Sequence, residues 1–211
     1  MINKIAWFFS IILHPLILLN FGIFIILYFH PYYNSRYYED QLFSFVLYLS
    51  INTIVIPTLA ILLLKQFKFV DNFQISNHKQ RTIPYAFISV LLSITVYQLL
   101  KNDMRGLPIY FMIGCVLSLI VNLHINLKFS ISSHTIAAGG FIALVSYMVF
   151  VQNISALVYW LPISIIIAGL SGFSRLWLNA HTTKQAYFGY LVGFIVVFAT
   201  IYSSIKFAIF N

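Results

Sequence analysis

The feature of the sequence that most constrains its fold is the absence of charge from long apolar stretches. Windows without Asp, Glu, Lys or Arg cover residues 5–35, 41–64, 82–100, 106–127, 129–174 and 185–205. A helix needs about 20 mostly apolar residues to cross the hydrocarbon core of a bilayer. Five windows therefore fit one helix each. The window of 46 residues from Phe129 to Ser174 fits two helices, with a turn predicted at Gln152-Asn153.

Composition supports an integral membrane protein and excludes other classes. The chain is 61% apolar and 8% charged, whereas soluble domains average about 45–50% and 25%, so a soluble enzyme, a secreted factor and a disordered linker are all excluded. The apolar runs are too long and uniform for barrel strands, which alternate in polarity. We expect an all-α polytopic transmembrane bundle of about six to seven spans, forming a single domain over residues 1–211. The predicted spans are 5–29, 41–64, 83–100, 108–127, 134–151, 155–173 and 185–208.

The amino-terminal segment has the outline of a signal peptide but is predicted to be retained as a helix. Its apolar run after Lys4 is too long for a signal peptide and lacks a small-residue cleavage site. The dipeptide His14-Pro15 interrupts the run, and a proline inside a helix frees a backbone carbonyl. We expect His14 to bond backbone groups that the proline leaves unpaired.

Net charge points to an anionic partner. The formal charge is +8, and the cations lie between apolar spans rather than on one soluble basic face, which argues against nucleic acid. Membrane lipids and a phosphorylated lipid substrate are the expected partners. Cys115 is the single cysteine in the sequence, so no internal disulfide is expected.

Alternating crossings predict a cluster of histidine and arginine at one membrane face. Seven spans place the amino terminus and the segments 65–82, 128–133 and 174–184 on the same side of the bilayer. Arginine suits bidentate phosphate recognition, and helix amino termini favour anions. The pattern therefore predicts a phosphate site. Its basic side chains are Lys79, Arg81, His134, Arg175 and His181.

Three short motifs in this cluster resemble those of a known family. Residues 174–181 read SRLWLNAH and fit the SRxxxxxH part of the third signature of the type 2 phosphatidic acid phosphatase superfamily. Residues 132–134 read SSH and resemble its second signature, PSGH. Lys79, Arg81 and Pro84 loosely match the first, KxxxxxxRP. The order of the three motifs and their shared face agree with the family.

The resemblance covers about residues 65–195. The run from Ala180 to Gly193 is similar to a bacterial branch of the superfamily, which implies a bacterial inner membrane protein. The family works without a metal ion or other cofactor, so neither is expected here.

The resemblance also implies a role for each site residue. His181 would attack phosphorus and become a phosphohistidine, and His134 would protonate the leaving oxygen. Water would then release phosphate, in keeping with a reaction dominated by positioning and charge stabilisation. The phosphate oxygens would be held by Arg175, Arg81, Lys79 and Ser133.

Three departures from the family pattern leave alternatives open. Gln185 replaces the aspartate that the family has four residues after the histidine. Its amide can hold the imidazole tautomer but does not stabilise an imidazolium as a carboxylate does. The second signature lacks its proline and glycine, and no lysine precedes Arg81 by seven residues. A catalytically weak or inactive relative, which binds lipid phosphate or serves as a subunit of a membrane complex, is therefore the alternative to a phosphatase.

A transporter of lipids or small anions is a third hypothesis. It requires a polar pathway across the bilayer, but the opposite side carries no matching cluster of histidine and arginine. Glycines, in contrast, predict packing rather than transport. Gly139-Gly140 on the fifth predicted span and Gly189 and Gly193 on the seventh are expected to allow close helix contact.

Overall fold

Helices account for almost all of the computed structural model, which describes residues 2–68 and 82–210, with side chains to Lys206. No strand occurs in these two ranges. The α-helices are α1 (Ile2–Ile12), α2 (Pro15–Phe29), α3 (Pro31–Arg36), α4 (Glu39–Ser50), α5 (Ile56–Gln66), α6 (Thr82–Lys101), α7 (Leu107–Asn126), α8 (Ser133–Ser146), α9 (Trp160–Trp177) and α10 (Thr183–Phe210). Two π-helical turns, Ile51–Val55 and Tyr147–Val151, join α4 to α5 and extend α8.

The transmembrane prediction is confirmed. Six helical segments among the described residues are long and apolar enough to cross a membrane, and the bent pair α1–α2 would make a seventh span. The six are Glu39–Gln66, Thr82–Lys101, Leu107–Asn126, Ser133–Val151, Ser155–Trp177 and Thr183–Lys206. The predicted turn also occurs, with Asn153 at φ +56° between two spans. The chain is an integral membrane protein with an all-α fold.

The first span is predicted as one continuous helix, but in the structure it is two helices. It breaks after Ile12 and restarts at Pro15, with a bend of 53°. Proline lacks an N–H and clashes with the carbonyl four residues earlier, so it is tolerated at the first position of a new helix. His14 caps that helix, because its Nδ1 accepts a hydrogen bond from the Leu16 N–H at 3.4 Å. His14 therefore bonds backbone, as predicted, but its partner is an N–H at the start of α2 and not the carbonyl that the proline frees.

Helix α8 lies at the centre of the bundle, in contact with α2, α7, α9 and α10. Its contact with α10 is close because glycines of each helix face the backbone of the other. A Cβ at Gly193 would overlap the carbonyl oxygen of Ile136, and one at Gly139 would overlap the carbonyl oxygen of Tyr190. The predicted close contact between the two helices is confirmed. It fixes the start of α8 against the start of α10, where the site lies.

Candidate functional site

A cavity of about 480 Å³ lies inside the bundle, between α1, α2, α5, α6, α7, α8, α9 and α10. Most of its lining is apolar, but helix ends contribute a group of polar side chains. These come from the last turn of α1 and the break after it, the start of α8, the end of α9 and the connection to α10. They are Ser10, His14, Ser133, His134, Arg175 and His181.

One residue of α1 bridges two of the predicted site residues. The carbonyl oxygen of Ser10 lies 3.0 Å from Nε2 of His134, and its hydroxyl accepts from Nη1 of Arg175 at 2.7 Å. A carbonyl oxygen only accepts, so Nε2 of His134 carries a proton. The imidazole and the guanidinium are therefore near enough to be spanned by two oxygen atoms of one small group.

Packing of α1 and α8 against α9 holds this bridge in place. Arg175 is 4% exposed in the last turn of α9, and Ser10 is 7% exposed. The other end of α1 is tied to α9 as well, because Nε1 of Trp177 donates to Oδ1 of Asn3 at 2.8 Å. A buried arginine in a membrane span is costly unless it has polar partners. Arg175 is therefore a candidate functional residue.

His181 is oriented by Gln185 at the start of α10. Thr182 and Gln185 form a capping box, in which the Thr182 N–H donates to Oε1 of Gln185 at 3.0 Å and the Gln185 N–H donates to the threonine hydroxyl at 3.4 Å. The same Oε1 lies 3.3 Å from Nδ1 of His181. Because Oε1 is an acceptor, Nδ1 carries the proton, and Nε2 of the neutral ring keeps its lone pair.

Ser133 belongs to a hydrogen-bonded group that joins three helices. Its hydroxyl lies 2.5 Å from the hydroxyl of Tyr85 on α6. It also accepts from Nδ2 of Asn122 on α7 at 2.9 Å. These bonds fix the serine at the cavity wall.

The break in the first span adds an imidazole that sequence reasoning gave no place in the site. The ring of His14 lies 5.5 Å from that of His134, at an interplanar angle of 86°. A histidine directly before a helix-breaking proline, inside a charge-free window, was the available signal. Polar residues in membrane spans usually face the bundle interior.

The structure brings most of the predicted residues together. His134, Arg175, His181 and Ser133 line one cavity, and Gln185 contacts His181. Lys79 and Arg81 lie outside the described residues. Sequence reasoning missed Ser10, His14, Tyr85 and Asn122, which carry no motif and meet the site only through tertiary packing. In residues 2–68 and 82–210, no three His, Cys, Asp or Glu side chains are arranged to hold a metal ion.

Comparisons of the chain with protein-family models, curated proteins and solved structures give no match. Function is therefore inferred from the side chains of the cavity and from the short motifs at 132–134 and 174–181. Both concern the same small region of the molecule, where α8, α9 and α10 meet.

Proposed function

We propose that this protein is a membrane lipid-phosphate phosphatase, a divergent relative of the type 2 phosphatidic acid phosphatase superfamily in a bacterial inner membrane. Its substrate is a lipid phosphomonoester or a polyprenyl diphosphate. The observation that carries this proposal is the double contact of Ser10 with His134 and Arg175. A phosphate group presents several oxygens at similar spacing, so it can replace the carbonyl and hydroxyl of Ser10 on these two side chains.

The proposed reaction has two steps. Nε2 of His181 attacks phosphorus, and the bond from phosphorus to the lipid oxygen breaks as His134 gives that oxygen a proton. In this step His134 acts as an imidazolium, paired with the bound phosphate anion, and becomes a neutral imidazole. Water then loses a proton to neutral His134 and attacks the phosphohistidine, which releases phosphate and restores neutral His181 and the imidazolium of His134. A covalent intermediate divides one difficult displacement into two easier steps.

The remaining polar groups stabilise charge on the phosphate. Arg175 donates from a planar guanidinium suited to phosphate oxygens, and Ser133 adds a hydroxyl. Arg81 and Lys79 are proposed to supply further positive charge. Gln185 holds the tautomer of His181 in which Nε2 carries the attacking lone pair.

The apolar part of the cavity supports a lipid substrate. On α8 the lining runs from Ser133 to Gly140, roughly 10 Å along the axis at 1.5 Å per residue. Phe111, Cys115 and Leu119 of α7 line the same space. A polar group of side chains beside an apolar chamber suits an amphiphile with a phosphate head and a hydrocarbon chain.

Phosphate release from lipid phosphates in detergent micelles tests the proposal. His181→Ala is expected to lower the turnover roughly a thousandfold or more, as when a nucleophile is removed from a catalytic group that acts as a unit. His124→Ala is the matched control, since His124 is exposed on α7 and its Nδ1 lies 2.9 Å from its own helix at Ile120 O. Unchanged turnover in His181→Ala would remove this residue from the mechanism.

The alternative, a relative that binds lipid phosphate without hydrolysing it, is favoured by Gln185. The variant Gln185→Glu separates the two functions, because glutamate keeps the capping box while adding a carboxylate beside His181. Turnover rises in a weakened enzyme and stays absent in an inactive one. If turnover is absent, equilibrium binding of an alkyl phosphate to the wild type shows whether the protein binds lipid phosphate.

A further inference from the structure

Two buried polar atoms of α7, one of them in a side chain that lines the cavity, have no hydrogen-bond partner among the residues that the structure describes. They are Oγ of Ser118 and Oδ1 of Asn122. Both side chains are buried, with 4% and 1% of their surface exposed. Water is scarce at membrane depth, so a polar atom left unsatisfied there is costly. A polar group that is not part of the described protein is therefore expected to bind them.

Two other buried serines in the spans bond to carbonyls of their own helices. The hydroxyl of Ser89 donates to the carbonyl of Tyr85 at 2.7 Å, and that of Ser164 donates to the carbonyl of Leu161 at 2.7 Å. This local bond is the usual solution for a serine inside a helix. Ser118 does not adopt it, although its own helix offers carbonyls at the same spacing.

The two unpartnered atoms are connected to the proposed phosphate site through the cavity and through Ser133. Ser118 and Asn122 are four residues apart and so share one face of α7. Ser118 lines the cavity, and Nδ2 of Asn122 donates to Ser133 at the polar end of the cavity. Asn122 thus has an acceptor to offer, while a serine hydroxyl can donate or accept. A ligand hydroxyl complements both, since it can donate to the amide oxygen and accept from the serine.

We propose that Ser118 and Asn122 form a hydroxyl-binding subsite next to the phosphate site. The preferred ligand is then a lipid phosphate that carries a free hydroxyl near the phosphate, as a glycerol backbone does, and not one whose chain is purely hydrocarbon. This inference rests on the proposed function, because it places the phosphate of the same ligand between His134 and Arg175.

Binding of three related amphiphiles to the purified full-length protein tests the subsite. The first is the phosphonate analogue of 1-O-hexadecylglycerol 3-phosphate, which cannot be hydrolysed and has a free hydroxyl. The second is its 2-O-methyl ether, which has lost the donor. The third is 1-O-hexadecylglycerol, which lacks the phosphonate. We expect the first to bind roughly three- to tenfold more tightly than the second, the effect of one hydrogen bond.

Ser118→Ala is expected to reduce that preference to less than about twofold, Ser118→Thr to retain it, and the buried control Ser164→Ala to leave it unchanged. Equal affinity of the wild type for the hydroxyl probe and the methyl ether would overturn the subsite and assign the two atoms to water. So would a preference that survives Ser118→Ala. Failure of the proposed function gives a different result, in which neither phosphonate binds more tightly than 1-O-hexadecylglycerol.

Discussion

Two His-Pro dipeptides lie at the two ends of α2 and share one local structure. His14-Pro15 opens α2, and His30-Pro31 closes it and opens α3. In each, Nδ1 of the histidine accepts from the N–H two residues later, at 3.4 Å for His14 and 3.2 Å for His30. Each proline occupies the first helical position, where its missing N–H costs nothing.

Their surroundings differ. His14 packs edge-on against the ring of His134, and both rings line the cavity. His30 packs edge-on against Tyr33 at 5.0 Å, whose hydroxyl donates to the Arg105 carbonyl at 3.1 Å and accepts from the Leu107 N–H at 2.8 Å. At the His30 end the polar groups bond to backbone and close the structure. At the His14 end they line a cavity, which can admit a ligand.

The largest expected difference between the two ends is between their arginines. Arg175→Lys keeps the charge but loses the planar fork, and we expect kcat/KM for a lipid phosphate to fall roughly a hundredfold or more. Arg105→Lys changes an exposed side chain that donates to the Leu100 carbonyl at 2.5 Å, and activity should stay within about twofold. Thermal unfolding of both variants controls for stability. Full activity in Arg175→Lys would mean that both ends are structural.

The two histidines are compared by replacing each with asparagine, which preserves a helix N-cap. We expect His14→Asn to lower kcat roughly tenfold, because the third imidazole of the site is lost while α2 keeps its cap. His30→Asn should leave kcat unchanged. Phosphate release by equal amounts of folded protein measures both. An equal loss in the two variants would show that the cap, and not the cavity, is what matters.

How far the sequence anticipates the molecule differs between its helices and its site. The spans and the turn at Gln152-Asn153 follow from charge-free windows, because hydrocarbon requires long apolar helices. The contact of α8 with α10 follows from glycines at Gly139 and Gly193. Both patterns are local, so they can be recognised along the chain.

The site is anticipated only where it carries a motif. His134, Arg175 and His181 lie in recognisable segments, and alternating crossings place them on one face. Ser10, in contrast, lies in the site because α1 and α2 are bent by 53°. A His-Pro pair permits such a bend but does not determine its angle. The unsatisfied atoms of Ser118 and Asn122 depend on packing of α7 against its neighbours, which apolar patterning does not specify.

Replacing one tyrosine at each end is expected to have an effect of intermediate size. Tyr33→Phe leaves the buried Leu107 N–H without its acceptor, which should lower the free energy of unfolding by about 1–3 kcal/mol without changing kcat. Tyr85→Phe removes the bond to Ser133 and should lower kcat/KM severalfold with a smaller loss of stability. Detergent-induced unfolding and phosphate release separate the two effects. A stability loss without any activity loss in Tyr85→Phe would place Ser133 outside the site.

The smallest expected effect concerns pH and belongs to the closed end. Burial lowers the pKa of His30 below its ordinary value of 6.5. The unfolded chain therefore binds the proton first as the pH falls through 6.5, so His30 makes the protein less stable toward acid. His30→Asn should lose less stability than the wild type between about pH 8 and pH 5, while other titrating groups cancel in the difference. Thermal midpoints at the two pH values measure it. If the thermal midpoints of the wild type and the variant depend on pH in the same way, His30 binds a proton equally well in the folded and the unfolded chain. The His30 end would then be more open to water than its hydrogen bonds indicate.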